Sequence, residues 1–411
     1  MTVNYRPEQT GIAVYTTGLA EGLAARGFAV SVLAAAPHYP VWKVFPSSEW
    51  APDEIADGVR VRRLRSYVPG RASLAKRSLF ELLYGLRFVC SRAARRQIAS
   101  SDAVLLVSPA LLTSALVRLS VHRARTRTVL WVQDRYCAGM REVAGAGVAA
   151  RAIAAVETGL ARSCDDVVVI HDRWRAALSR EWGIDECRLT TIRNWSHLAP
   201  SPDIDRASVR TRLGWGDETV VLHAGNMGAK QGLENVVAAA RHAEAKSLPL
   251  RFVLLGDGNQ RQRLELDGAG CACLEFIRPL ADEQYAQALE AADVLLVNEL
   301  PGLAETAVPS KLTSYFAVGR PVLAATEATS VTSDEIRASG AGKVIPPGDP
   351  EALVDTALEL GAGSFDLDAG PRYVERILSP AAAIDSFAAV LAQRSSSFAE
   401  RKHHRREGID S

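Results

Sequence analysis

Short apolar runs recur along the chain, most of them followed by a turn and then by apolar residues at helical spacing. The runs at 28–34, 103–107, 128–132, 167–170 and 190–193 read as buried strands, those at 219–224, 252–255, 274–277, 294–297 and 321–324 repeat the pattern, and a further short strand lies between the turns at Gly340–Gly342 and Pro346–Gly348. Residues 59–68 alternate arginine with apolar residues and read as a half-exposed strand. Between the runs, Ile12, Tyr15, Leu19 and Leu23 line one helix face that ends near Gly27. Leu111–Leu119, the segment with Leu233, Val236, Val237 and Ala240, and the segment with Tyr285 and Leu289 also read as helices. Tyr373–Gln393 reads as one continuous helix. Strands alternating with helices predict an α/β architecture of doubly wound parallel sheets.

Pro200–Asp205 has linker composition and divides the chain. The expected organisation is one Rossmann-like half over 1–199, a second over 200–376, a helix over 377–393 and a disordered basic tail over 394–411. The first strand is the weak point. Only Thr2–Tyr5 remain before Pro7, fewer than the usual five or six residues. A frayed first strand, or a natural start further upstream, is expected.

Bulk properties narrow the function. A chain of 411 residues is too long for one core and suits two domains. With 48% hydrophobic residues, 23% charged residues and a net charge of +1, it is an ordinary globular protein and not a nucleic-acid-coating one. The six cysteines are scattered, and Cys271-x-Cys273 alone is a poor zinc motif, so reduced thiols are expected. No run approaches a transmembrane length, and the start lacks the apolar core of a signal peptide, which points to the cytoplasm.

The stretch with most chemistry is Thr219–Glu234. A buried strand breaks into Gly225, Asn226, Gly228, Lys230 and Gly232, then opens a helix. Glycines admit a phosphate close to the backbone, free N–H groups at a helix start point at it, and a lysine adds charge. The spacing fits neither a Walker A loop nor the three-glycine dinucleotide fingerprint, and a purely structural turn remains open. Gly256-Asp257-Gly258 forms a second tight turn after the next strand. In the first half, Glu8, Thr10 and Gly11 follow the first strand, His38 and Tyr39 follow the second, and Asp134 ends the strand at 128–132. Ligands of doubly wound sheets bind at those carboxyl ends, where a carboxylate can orient or deprotonate a hydroxyl. A turn aspartate and a solvated histidine are the plainer alternatives. Residues 76–96 form an amphipathic helix with Leu79, Leu82, Leu83, Leu86 and Val89 as an apolar stripe. Basic residues surround the stripe and Glu81 is the only acid, so the helix suits an anionic membrane surface or, alternatively, a core with a basic outer face.

Taken in order, Pro7-Glu8-x-Thr10-Gly11, Pro37–Pro40, Gln133-Asp134, the Gly225–Leu233 turn, Gly256–Gly258 and Pro309-Ser310-Lys311-Leu312 with Gly319–Val322 resemble the family 4 retaining glycosyltransferases of GT-B fold. The likeness runs from about Val3 to about Ala392 and is nearest to the colanic-acid-type exopolysaccharide branch, with its fucosyl and N-acetylfucosaminyl transferases. The resemblance implies two Rossmann-like domains facing a central cleft, with the helix at 377–393 packing back toward the first. It implies a GDP- or UDP-linked sugar donor in the second domain and a lipid-linked saccharide acceptor in the first. No metal, cofactor or nucleic acid is implied, and the chain is expected at the inner face of the plasma membrane. Lys230 and the Gly225 turn would hold the diphosphate, Lys311 would add a second cation, and Pro279 and Leu280 would border the base. Ser310 and Pro309 would flank the donor, and Asp134 would face the acceptor.

Two positions depart from the family. Thr306 and Ser314 stand where many members carry paired glutamates, leaving Glu305 beside the first position, and Asn226 replaces an arginine. A sugar-nucleotide epimerase of the same fold and a non-catalytic partner subunit are therefore the competing readings.

Overall fold

The computed structural model describes residues 1–9, 11–70, 74–121, 126–135, 147–198, 204–303, 309–363 and 365–393. The tail over 394–411 and most of the linker at 200–205 thus lie outside the described residues. The chain divides into two compact units, Met1–Asn194 with the chain from Pro380 on, and Trp195–Ser379.

In the first unit α1 (Ile12–Ala25) precedes β1 (Ser31–Ala35), β2 (Asp53–Ala56) and β3 (Val59–Leu64). Then come α2 (Leu74–Cys90), α3 (Arg92–Ala99), β4 (Ala103–Val107), α4 (Leu111–Ser120) and β5 (Arg127–Val132). The segment closes with α5 (Val148–Ser163), β6 (Asp166–Val169), α6 (Asp172–Trp182) and β7 (Leu189–Thr191). One sheet has the order β1-β3-β2 and another β4-β5-β6-β7. Between them the chain start pairs on both sides. Thr2 N–H donates to Leu33 of β1 at 3.0 Å, while Met1 donates to Leu105 at 2.7 Å and accepts from Val107 of β4 at 3.1 Å. Residues 1–5 carry no assigned strand, in line with the frayed first strand expected. β2 pairs antiparallel with β3 through Asp57-Gly58, both at positive φ, a two-residue hairpin that the reading of 59–68 as a lone strand omits.

The helix expected over 76–96 is two helices. Ser91 leaves helical geometry and caps α3 by accepting from Ala94 N–H at 3.3 Å. The inward face of α2 is its aromatic stripe, Phe80, Tyr84 and Phe88, at i, i+4 and i+8. Tyr84 shares its one hydroxyl proton between the carbonyls of Ala34 and Leu64, near the ends of β1 and β3. Glu81 also turns inward and accepts from Leu112 N–H at 3.1 Å at the start of α4. Leu79, Leu82 and Leu86 face outward at 46%, 40% and 44% exposure, so they are not core residues.

In the second unit α7 (Arg206–Leu213), β8 (Thr219–Ala224), α8 (Glu234–Ala245), β9 (Leu250–Leu255), α9 (Arg261–Asp267) and β10 (Leu274–Ile277) come first. They are followed by α10 (Asp282–Ala291), β11 (Val294–Asn298), α11 (Lys311–Ala317), β12 (Val322–Ala325) and α12 (Val331–Ser339). β13 (Gly342–Ile345), α13 (Pro350–Ala362) and α14 (Ala369–Ile377) complete it. All six strands are parallel, in the order β10-β9-β8-β11-β12-β13. Aliphatic strand runs let both faces be covered, and two hydrophobic clusters pack there. The strand order reverses between β8 and β11, the switch point where doubly wound sheets bind ligands. The single helix expected over 373–393 breaks at Leu378-Ser379-Pro380, because proline disfavours a helical residue before it. Its second part, α15 (Pro380–Ala392), belongs to the first unit, where Phe387 packs edge-on against Trp131 of β5.

Candidate active site

At the switch point of the second unit, β8 runs out into Gly225, and a 3-10 turn over Ala229–Gln231 and Gly232 precede α8. Gly225 has φ +130° and Gly256 φ +141°, conformations open to glycine but strained for other residues. The turns after β8 and β9 lock together. Met227 N–H donates to Asp257 at 2.8 Å and Gln260 N–H to Met227 at 3.0 Å. A Cβ on Gly256 would stand 1.9 Å from the Gly225 carbonyl oxygen, and one on Gly258 2.4 Å from that of Met227. Arg261, buried beneath, donates to the carbonyls of Gly256 and Ile277.

From the other side, Asn298 at the end of β11 braces the same turn. Its amide donates to Gln231 at 2.8 Å and Gly232 at 2.9 Å and accepts from Asn235 at 2.9 Å, while Leu300 N–H donates to Lys230 at 2.9 Å. Lys311, at the start of α11, lies over the turn, its Nζ 3.6 Å from where a Gly225 side chain would begin. Below it is His223 of β8, fully buried, with Nε2 3.0 Å from Lys311 Nζ. Burial pushes the Lys311 ammonium down to about 7, against a small opposing effect of Glu299. Burial, and after it the Lys311 charge, hold the His223 imidazole well below its ordinary value. Glu299 accepts from Thr332 at 2.8 Å and from the Thr326 hydroxyl.

The structure thus brings Gly225, Gly256, Gly258 and Lys311 together. Asn226 and Lys230 lie on the same turn with exposed side chains. Pro279 is exposed after β10, and Leu280 packs on the core. Pro309 and Ser310 lead directly into α11. Ser314 is buried, and the neighbouring Tyr315 hydroxyl accepts from Ala224 N–H at 2.8 Å. Glu305 and Thr306 lie outside the described residues.

In the first unit, Glu8 is a buried brace. Its carboxylate accepts from the N–H groups of His38 at 2.7 Å and Tyr39 at 2.9 Å and from Asn4 at 2.9 Å. His38 is not solvated. It is buried against Phe80 and Trp42, and its Nδ1 lies 2.9 Å from the Ala36 carbonyl. Gly11, at φ +62°, leaves room for Tyr39, whose ring a Cβ would meet at 3.6 Å. Burial pushes the Tyr39 phenol up, with Arg77, Asp134 and Glu8 the charged groups that act on it. Half-buried Asp134 therefore shares this edge with Tyr39. Beside it, Gln133 and Asn194 exchange two amide hydrogen bonds, of 3.0 and 2.8 Å. Thr10 lies outside the described residues.

Residues 10–195 match a glycosyl transferase 4-like domain, and residues 218–362 match the glycosyl transferases group 1 domain. The colanic acid biosynthesis glycosyl transferase WcaI of Escherichia coli is 32% identical over 341 residues, 79% of this chain and 82% of the relative. The chain belongs to the glycosyltransferases. Sucrose-phosphate synthase from Thermosynechococcus elongatus superposes with a TM-score of 0.72 at 18% identity, covering 94% of each chain. Anabaena HepE, solved with UDP and glucose, gives 0.70 at 14% identity, covering 95% of this chain and 98% of its own. These likenesses show the GT-B fold.

Sequence reasoning passed over His223, Asn298, Glu299 and Arg261 in this glycosyltransferase. Asn298-Glu299 had a signal, since two polar residues follow a buried run at the carboxyl end of a parallel strand. His223 had only its position inside an otherwise aliphatic strand. No helix among the described residues is long and apolar enough to cross a membrane, and among them no three His, Cys, Asp or Glu residues group to hold a metal ion.

Proposed function

We propose that the protein moves a sugar from a UDP- or GDP-linked donor to a lipid-linked saccharide, with retention of anomeric configuration, in the synthesis of an exopolysaccharide, O-antigen or capsule at the cytoplasmic membrane face. The observation that carries this reading is the Gly225 turn at the β8/β11 switch point with Lys311 laid over it. Lys311 and Lys230 offset the charge that grows on the departing diphosphate, where binding counts most for rate. Asp134, beside Tyr39, faces the acceptor hydroxyl in the first unit and orients it or takes its proton. The leucine face of α2 and the arginines of α3 rest on anionic lipid. The names of WcaI and HepE, one tied to colanic acid and the other solved with UDP and glucose, support a polysaccharide role and a nucleotide-sugar donor. The family matches favour transfer over epimerisation.

The test is incubation of the full chain with a panel of UDP- and GDP-sugars, with and without bacterial lipid extract, followed by NMR of the product linkage. An α-linked product from an α-linked donor, formed only with lipid, is the expected result. Conversion of the free nucleotide sugar without lipid would indicate an epimerase. Nucleotide binding without any turnover would indicate a partner subunit.

A further inference from the structure

We propose that the loop Pro40–Val44, which abuts α2 in the first unit, inserts into the interface of a lipid bilayer, with Val41 and Val44 entering the hydrocarbon and Trp42 lying at the headgroup boundary. This rests on the reading of the first unit as membrane-bound and adds a second element to the leucine face of α2.

A loop tip in water ordinarily carries Gly, Asn, Asp or Ser. This one reads Pro-Val-Trp-Lys-Val-Phe-Pro over 40–46, with Val41 65% and Val44 37% exposed. The loop is nonetheless firmly built. Phe45 N–H donates to the Pro37 carbonyl at 2.9 Å and Lys43 N–H to that of His38 at 3.3 Å. The indole of buried Trp50 donates to the Phe45 carbonyl at 3.2 Å. Between the two valines, Trp42 sits at φ +52°, the left-handed region that a bulky side chain rarely enters. Its half-buried ring meets His38 at 5.5 Å and Phe80 of α2 at 6.0 Å. The exposed valines and the strained backbone both cost stability in water. They are accounted for by a partner that takes apolar side chains.

Continuity and charge identify that partner as a bilayer. Phe80 ties Trp42 to α2, the helix whose Leu79, Leu82 and Leu86 stand exposed. No acid occurs from Ala36 to Ser48, and the nearest in sequence after the tip is exposed Glu49. Lys43 is exposed in the tip itself, and Lys76 at the start of α2. Tryptophan favours the level of the headgroups, valine goes deeper, and lysine reaches lipid phosphates. The Tyr39 ring lies 6.4 Å from that of Trp42, and Tyr39 shares its edge with Asp134. Insertion thus holds this edge at the height where the saccharide of a lipid-linked acceptor leaves the bilayer.

The experiment is tryptophan fluorescence of the full chain on phosphatidylglycerol vesicles, with and without lipids brominated along their acyl chains. Six of the seven tryptophans, Trp50, Trp131, Trp174, Trp182, Trp195 and Trp215, are buried, so quenching by contact with bromine reports Trp42. Brominated lipid should quench the parent, and Trp42→Phe should lose that quenching while still sedimenting with vesicles. Val41→Ser combined with Val44→Ser should keep the parental melting temperature, because both side chains are exposed. From their exposed fractions it should bind vesicles roughly tenfold to a hundredfold more weakly. It should also need more bacterial lipid extract for half-maximal transfer, with UDP affinity unchanged. Parental vesicle binding by the double-serine variant, or vesicle-bound parent protein whose emission brominated lipid leaves unchanged, would overturn the proposal and leave the α2 face as the lipid contact. A parent that binds no vesicles would overturn both. Quenching by brominated lipid in a chain that transfers no sugar would uphold the loop assignment and refute the proposed function.

Discussion

Replacing Leu79, Leu82 and Leu86 together by glutamine tests whether the outer face of α2 meets a membrane. Each leucine already has 40–46% of its surface in water in the folded chain, so the change removes little packing. Fully burying a leucine yields about 1.5–3 kcal/mol, and the exposed fractions scale this to roughly 2–4 kcal/mol for the three. Lys76, Arg87, Arg92, Arg95 and Arg96 are exposed on α2 and α3, and basic residues at an anionic surface add about 1 kcal/mol each. Glu81 does not oppose them, because its carboxylate is turned inward onto the start of α4. Co-sedimentation with vesicles containing phosphatidylglycerol should show the glutamine variant binding roughly 30- to 700-fold more weakly at one salt concentration, by the factor of ten per 1.4 kcal/mol. Reversing Arg87, Arg92, Arg95 and Arg96 to glutamate should weaken binding as well, and that loss should shrink as salt rises, whereas the leucine loss should not. Parental binding by the glutamine variant, with an unchanged melting temperature, would refute the assignment of this face to lipid.

Three further outcomes are expected. Lys230→Ala should fold normally, because its side chain is exposed, and should lower sugar transfer by about a hundredfold with a smaller change in nucleotide affinity, as loss of one preorganised stabiliser does. Gly256→Ala should lower the melting temperature of the second unit and weaken nucleotide binding. Its Cβ would stand 1.9 Å from the Gly225 oxygen at a glycine-only φ, a combination of overpacking and strain costing about 2–6 kcal/mol; parental melting would refute the locking of the two turns. Tyr84→Phe should destabilise the first unit by about 1–3 kcal/mol in urea unfolding, because the buried hydroxyl shared by the Ala34 and Leu64 carbonyls is lost and Leu64 keeps only Ala36 N–H.

The alternation of apolar runs and helical spacing carries most of the fold, including the six parallel strands of the second unit and the glycine turn after β8. It does not orient a helix with two apolar faces. In α2 the leucines and the aromatics both recur at helical spacing, and only packing decides that Phe80, Tyr84 and Phe88 go inward. The Asp57-Gly58 hairpin and the break at Pro380 were legible in the turn chemistry of those residues and were passed over. His38 lies beyond any local rule, since its burial depends on Phe80 of α2 and on Glu8 from the preceding loop. The pairing of His223 with Lys311 lies further out still, because it joins residues from two strand–helix units.

On the proposed reading of the turn as the donor site, the brace from β11 would also sort ligands by hydrogen-bond polarity. Three consecutive carbonyls of the turn, those of Lys230, Gln231 and Gly232, are tied down by Leu300 N–H and the Asn298 amide. Each of these carbonyls already spends a lone pair on a donor within the protein, so this stretch would offer a guest fewer acceptors. Groups rich in N–H or O–H donors find little to bond there, whereas an oxygen-rich anion needs none of those carbonyls. Asn298 would thereby filter which chemistry the turn admits without itself touching a ligand.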